Sequence, residues 1–168
     1  MRGAIHEADF SEYVTARRPD LWRSAYLLCG DVQRADDLVQ TALMKLYVAW
    51  PRLTKADNVD GYARRIIANA HIDEVRRPWR RETARLEGHE PEAAPEPVED
   101  RETLIRALAE LPDGQRRVVV LRHYWGLSVA ETARDLGISE GTVKSQCALA
   151  LHKLEAALAP FFGEGEPA

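Results

Sequence analysis

Four arginines surround one tryptophan in the segment RRPWRR, residues 76–81. Arginine side chains neutralise phosphates, and an exposed aromatic ring among them can stack on an unpaired base. Pro78 should end any helix that enters the segment and leave Trp79 on a turn. The segment therefore predicts contact with single-stranded nucleic acid. The alternative is that Trp79 packs against the protein and the arginines are merely solvated.

The same chemistry continues towards the N-terminus along one predicted helix face, because basic and polar residues recur there at spacings of 4, 4 and 3. Residues 61–86 carry seven basic and three acidic side chains, although the whole chain has a net charge of −4. A basic patch in an acidic chain indicates a local surface for an anionic partner. The candidate nucleic-acid residues here are Arg65, Asn69, Asp73, Arg76, Arg77, Trp79 and Arg80.

A second candidate for nucleic-acid binding lies near the C-terminus. A capping box begins one short helix, a glycine ends that helix in a turn, and a serine caps the next helix. A small residue before the turn and a β-branched residue after it allow the two helices to cross steeply. The residues of this pattern are Ser128, Glu131, Ala133, Gly137, Ser139 and Val143. The pattern predicts a helix-turn-helix, with a helix pair used only for protein packing as the alternative.

The second helix of such a motif lies in the DNA major groove. Its exposed N-terminal side chains should hydrogen-bond to base edges or phosphates. They are Ser139, Glu140, Thr142, Lys144, Ser145 and Gln146.

A third surface belongs to the helix predicted over residues 32–50, which Asp31 should cap and Pro51 should end. Its apolar positions follow helical spacing and form one buried face: Ala35, Leu38, Val39, Ala42, Leu43, Leu46, Tyr47 and Trp50. The opposite face remains for solvent or a partner, and it comprises Asp36, Asp37, Gln40, Thr41 and Met44.

The elements that must position these surfaces are all helical. A first helix should hold Phe10 and Tyr13, with a break or kink near Pro19, and a third should start at Asp60 as its cap. Residues 87–102 carry seven acidic side chains and three prolines, which is typical of an extended linker. We therefore predict an all-α chain of two small helical domains, 8–86 and 101–162, joined by the linker 87–100.

Catalytic, metal and membrane functions are not indicated. The five histidines are scattered, and Asp36 and Asp37 diverge by about 100° on a helix, so no catalytic dyad, metal site, cofactor or small-molecule substrate is expected. Cys29 and Cys147 lack metal-site spacing and are interpreted as small buried hydrophobes. Uncharged stretches are too short to span a membrane and the N-terminus has no apolar run, which predicts a cytoplasmic protein that is not an enzyme.

These motifs, in this order, resemble the extracytoplasmic-function sigma factors of the sigma-70 family. Residues 31–53 and 61–81 resemble sigma region 2, and residues 108–154 resemble region 4. The likeness is to the small two-domain type common in actinobacteria. It implies an alternative sigma factor that binds bacterial core RNA polymerase, directs it to promoter DNA and helps to open the −10 region.

The resemblance also implies a role for each surface. The outer face of the 32–50 helix would dock on the β′ clamp helices, with the β flap as a further polymerase contact. The 65–80 set would contact the −10 element, and the 139–146 set would read the −35 element. An anti-sigma factor is a further expected partner.

One departure from the family pattern is Leu149, since many relatives keep arginines late in the recognition helix. Two interpretations follow: −35 contacts are weak here, or Leu149 packs against something else. Two other functions stay open from sequence. The chain could be a stand-alone helix-turn-helix regulator that binds DNA without polymerase, or a sigma mimic that sequesters an anti-sigma factor.

Overall fold

The structure is a computed structural model that describes residues 2–53, 58–75 and 98–162. Within these ranges every regular element is helical and no strand occurs, which confirms the all-α prediction. Residue contacts divide the chain into two units, Met1–Pro91 and Glu92–Ala168. The α-helices of the first unit are α1 (Arg2–Cys29), α2 (Val32–Ala49) and α3 (Val59–Val75); those of the second are α4 (Val98–Ala109), α5 (Asp113–Val119), α6 (Val129–Leu136) and α7 (Glu140–Phe162).

The first unit is built on a hairpin of α1 and α2. Gly30 turns the chain with a φ of 71°, and the Asp31 side chain then accepts a 2.9 Å hydrogen bond from the Arg34 amide. The predicted Asp31 cap is confirmed. Buried side chains of α2 face those of α1, and Leu21, Leu46 and Ala25 are almost fully enclosed between the helices. Burial of this apolar stripe is the main force that holds the hairpin together.

A break or kink was predicted near Pro19; helix α1 runs without interruption past that residue, so there is no break. A proline inside a helix costs about 3 kcal/mol because it lacks an amide donor and crowds the preceding turn. The helix continues because tertiary packing holds both sides of the proline. Leu21 and Leu28 are buried on one side, and Phe10 packs against Trp50 on the other, at 5.4 Å between ring centroids.

Helix α3 is capped by Asn58, and the prediction of Asp60 as its cap is wrong. The Asn58 side-chain oxygen accepts from the Gly61 amide at 2.9 Å. Asp60 lies in the first turn and accepts a 2.7 Å hydrogen bond from the Tyr13 hydroxyl, while Arg17 pairs with it at 3.1 Å. Burial, followed by this hydrogen bond to Asp60, raises the pKa of Tyr13. Asp60 therefore joins α3 to α1.

The second unit begins with α4, whose start at Val98 makes residues 98–100 helical; the other residues of the predicted linker, 87–97, lie outside the described ranges. Arg116 on α5 fixes the end of α4 by donating to the carbonyls of Leu108, Ala109 and Leu111 at 2.7–2.9 Å. Helix α5 passes into a π-helical turn, Val120–Tyr124, before Gly126 redirects the chain. Helices α4 and α5 pack against α7, and the π-helical turn packs against α6.

Candidate nucleic-acid interface

The predicted helix-turn-helix is confirmed as α6, a turn and α7. Ser128 and Glu131 form the capping box at the start of α6, with both reciprocal hydrogen bonds present. Gly137 has the left-handed φ of 66° that a glycine adopts without strain. Ser139 then caps α7, since its Oγ accepts from the Thr142 amide at 3.1 Å.

The two helices of the motif share one small core. Ala133 of α6 packs with Val143 and Cys147 of α7 and with Val118 of α5. Val143 is fully enclosed, as the crossing of two helices around a small residue requires. This core leaves the opposite face of α7 in solvent, and that face carries the side chains predicted to meet DNA.

The six predicted −35 residues are together on this face or at its edge. Five are exposed and the sixth is half-buried: Ser139, Glu140, Thr142, Lys144 and Ser145, followed by Gln146.

Several of their hydroxyls are already bonded locally. Ser139 Oγ lies 2.8 Å from Thr142 Oγ1, and Ser145 Oγ donates to the Gly141 and Thr142 carbonyls at 3.1 and 3.2 Å. Lys144 and Gln146 carry the longest hydrogen-bond donors of this set.

Leu149 lies on the exposed side of α7 with 49% of its surface accessible. Within the described residues it does not enter the core of the second unit, so the alternative that it packs against something else is left to a partner. Its neighbour Cys147 is buried, with Sγ 3.7 Å from His123 Nε2. Cys147 is a core residue, as the sequence predicted, whereas Cys29, predicted to be buried as well, is half-buried.

The outer face of α2 is exposed as predicted. Asp36, Asp37, Gln40 and Met44 are all exposed, and Thr41 is half-buried at the edge towards α3. The five side chains of this α2 surface lie within about two and a half turns of one helix. Their side chains include two carboxylates at one end of the surface and one thioether at the other.

Two residues that the sequence analysis did not place on the α2 surface extend it. Tyr47 is 50% exposed and Val48 is 70% exposed, next to Met44 at 62%. The placement of Tyr47 in the core was wrong, because its ring lies at the rim of the hairpin and makes an edge contact with Phe10 at 5.2 Å. Three exposed large side chains within about one turn form an apolar patch of the kind that often marks a protein interface. Helical spacing alone could not separate Tyr47 from the buried stripe.

A cleft of about 250 Å³ separates the α2 surface from α3. Three carboxylates and one ammonium group line it: Asp37, Asp73, Glu74 and Lys45. At its edge Arg34 Nε donates to Glu74 Oε1 at 2.7 Å and joins the two helices. The hydrogen bond and the charge of Glu74 raise the pKa of Arg34 although burial opposes the shift.

The predicted nucleic-acid face of α3 is present in part. Arg65, Asn69 and Asp73 are exposed on successive turns, opposite the buried Ile66 and Ile67. The remaining members of the set lie outside the described residues: Arg76, Arg77, Trp79 and Arg80. The described part of this face is therefore polar, with one cation and one anion.

Neither a metal-binding cluster nor a membrane-crossing helix is found among the described residues. No group of three His, Cys, Asp or Glu side chains there is arranged to hold a metal ion. None of the described helices is both long enough and apolar enough to cross a membrane.

Comparison with known proteins gives consistent matches along the chain. The family model Sigma-70 region 2 matches residues 13–81, and Sigma-70, region 4 matches residues 101–154. RNA polymerase sigma-E factor of Streptomyces coelicolor is 39% identical over 148 residues, which cover 87% of this chain and 84% of that protein. ECF RNA polymerase sigma factor SigM of Mycobacterium tuberculosis is 36% identical over 146 residues, covering 86% and 74%.

Solved structures agree with these matches. The sigma factor RpoE, crystallised with the anti-sigma factor NepR from Bartonella quintana, has a TM-score of 0.74 and 27% identity, covering 89% of this chain and 96% of that one. CnrH in complex with the cytosolic domain of CnrY has a TM-score of 0.67 and 25% identity, covering 92% and 90%.

Proposed function

The chain belongs to the sigma-70 family, as an alternative sigma factor of the extracytoplasmic-function group, and we propose that its two units divide promoter recognition between them. A sigma factor of this family is an initiation factor and not an enzyme. It associates with core RNA polymerase and directs it to specific promoters. What remains to be assigned is which residues of this chain perform each step.

We assign −35 recognition to residues 101–162, which lie within the second unit. The observation that carries the assignment is the exposed polar face of α7 opposite a closed helix-turn-helix core. Lys144 can contact phosphate or guanine, and Gln146 can pair with adenine in the major groove. Ser145 still has acceptor capacity for a base amine, since its hydroxyl acts as a donor to the backbone.

We assign polymerase docking to the α2 surface, with the β′ clamp helices as its partner. Support comes from the combination of Asp36 and Asp37 with the apolar group Met44, Tyr47 and Val48. An interface of this kind gains affinity from apolar burial, while the carboxylates orient a basic partner surface. The β flap is the proposed polymerase contact of the second unit.

We assign −10 recognition and opening to the α3 face and the arginine-rich segment that follows it. Arg65, Asn69 and Asp73 support this because they are exposed on one line that leads along the chain to Arg76. Arg76, Arg77 and Arg80 would bind phosphates of the unpaired strand, and Trp79 would stack on a base. We further propose residues 87–100 as the linker between the units, a cytoplasmic location and an anti-sigma partner. One similar structure supports that partner, since the sigma factor RpoE was solved in complex with the anti-sigma factor NepR.

Run-off transcription with purified core polymerase tests the proposal. The template should include the region upstream of this chain's own gene, and a new discrete transcript should appear only when the protein is added. Alanine at Arg76, Arg77 and Arg80 together should abolish that transcript. Alanine at Arg18, Arg23 and Arg52 removes the same charge from other sites of the first unit and should preserve it.

The same experiment distinguishes the other two functions. A stand-alone regulator would bind duplex promoter DNA specifically without core polymerase and would give no new transcript. A sigma mimic would bind an anti-sigma factor and keep its activity after replacement of Arg76, Arg77 and Arg80. Either result would overturn the site assignment.

A further inference from the structure

Leu149 contributes little to the packing of the second unit. Helix α7 is held on its support by Val143, Cys147, Ala150 and Leu154, which are all buried on one side. Leu149 is 49% exposed, and only surface residues flank it, apart from Ala150. A leucine that contributes little to the core is available for contact with a partner.

The position of Leu149 on the helix identifies that partner. It follows Ser145 by four residues and Gly141 by eight, so these three residues lie on one line along the exposed face of α7. Ser145 is one of the residues that should face base edges. A side chain one turn beyond it on the same line meets the same groove.

The chemistry of the side chain restricts what it can recognise there. Leucine has no hydrogen-bond donor and no charge, so it cannot pair with a base edge or neutralise a phosphate. The thymine C5-methyl is the one apolar group that a base pair presents in the major groove. A branched alkyl side chain that covers this methyl removes apolar surface of both groups from water.

We propose that Leu149 is a specificity residue that recognises thymine in the −35 element by contact with its C5-methyl group. The inference rests on the proposed function, because it requires α7 to lie in the major groove of that element. Where many relatives carry an arginine late in this helix, this chain would carry a leucine that prefers one base, thymine.

Replacement of thymine by deoxyuridine tests the contact, because it removes only the methyl group. Each thymine of the −35 element found by the run-off experiment is replaced singly, and binding of the reconstituted holoenzyme to the duplex is measured. At one position the unmodified protein should lose about 3- to 10-fold in affinity, as expected for one buried methyl. Leu149→Ala should bind thymine and deoxyuridine at that position with equal affinity.

Leu151→Ala is the matched control. Leu151 is 42% exposed on the same helix, but two residues further on it points about 200° away around the axis. This variant should keep the full response to deoxyuridine. Thermal melting of both variants should match the unmodified protein, since neither leucine is buried.

The proposal is overturned if no thymine of the element shows a methyl effect, or if Leu149→Ala responds as strongly as the unmodified protein. Failure of the proposed function itself looks different. In that case Lys144→Ala would also leave holoenzyme binding unchanged, and no base of the −35 element would matter.

Discussion

The indole Nε1 of Trp22 donates a 2.7 Å hydrogen bond to Asp36 Oδ1, so a side chain of α1 fixes one carboxylate on the α2 surface. Trp22 is itself held by a near-parallel stack on Tyr26, at 5.1 Å between ring centroids and 18° between planes. At the other end of the α2 surface Phe10 of α1 contacts Tyr47. Helix α1 therefore borders the proposed polymerase-docking surface along its length and orients side chains at both ends.

Trp22→Phe should weaken binding to core polymerase by about 3- to 10-fold. The change keeps an aromatic ring on Tyr26 but removes the donor that orients Asp36, and hydrogen bonds to charged groups contribute about 1.5–3 kcal/mol when well shielded, less at an exposed site. Fluorescence anisotropy of labelled protein with core polymerase measures the loss. Tyr26→Phe keeps the ring on which Trp22 stacks and leaves the donor to Asp36 in place, so it serves as the control. Equal affinities for the two variants would refute the role of Trp22.

Glu74→Gln should lower the free energy of unfolding of the first unit by about 1–3 kcal/mol. The substitution leaves Arg34, whose side chain is 30% exposed, without its carboxylate partner on α3. Urea denaturation followed by circular dichroism gives the value. The paired variant Arg34→Leu, Glu74→Leu should recover much of the loss, because an apolar pair replaces both ions. A loss below about 0.5 kcal/mol in the single variant would contradict this account.

Gly137→Ala and Gly141→Ala should change stability in opposite directions. Gly137 has a φ of 66°, where a side chain costs about 1–2 kcal/mol, although no atom within 4 Å would obstruct its Cβ. Gly141 lies inside α7, and its Cβ would meet only Ser139 Oγ at 3.9 Å, so alanine should stabilise the helix by up to about 1 kcal/mol. Differential scanning calorimetry of the two variants should place their melting temperatures on either side of the unmodified protein. A lower melting temperature for Gly141→Ala would refute the second half.

Cys29 should resist alkylation at pH 8. Burial raises the pKa of its thiol from 9.0 to about 12, and its Sγ donates to the Asp31 carbonyl at 3.3 Å. The thiolate fraction at pH 8 is then about a thousand times lower than that of an ordinary thiol, and iodoacetamide reacts with the thiolate. Mass spectrometry of the Cys29 peptide measures the rate, and the urea-unfolded chain is the control.

The same shift gives a pH dependence of stability. The folded state favours the protonated thiol, so its stabilising contribution is complete below pH 9 and is lost as the pH rises from about 9 towards 12. Fast modification of Cys29 in the native protein would show that the thiol is not shielded.

Local signals in the sequence predicted the elements well. Asp31, Ser128 and Ser139 cap the helices that their positions indicated, and Gly137 turns the chain where expected. Each of these effects acts within four residues, so the order of residues is sufficient to reveal it. The buried face of α2 was likewise predicted apart from its last turn.

Contacts between helices were not predictable in the same way. Trp22 meets Asp36 across 14 residues, and Arg34 meets Glu74 across 40. Such pairs depend on how two helices are shifted along each other, which periodicity does not determine. Tyr47 shows the same limit. Helical spacing places it on the apolar face of α2, but the neighbouring helix covers only part of its ring.

The local hydroxyl bonds of α7 have a consequence for the genome. Ser139 Oγ is bonded to Thr142 and the Ser145 hydroxyl donates to its own helix, so few hydroxyl donors of the proposed reading face remain for base edges. Such a face specifies only a short and degenerate DNA sequence. A genome contains many chance copies of a short sequence. Selective initiation then requires two elements together. A weakly specified −35 sequence supports initiation only where a −10 sequence follows it at the correct distance.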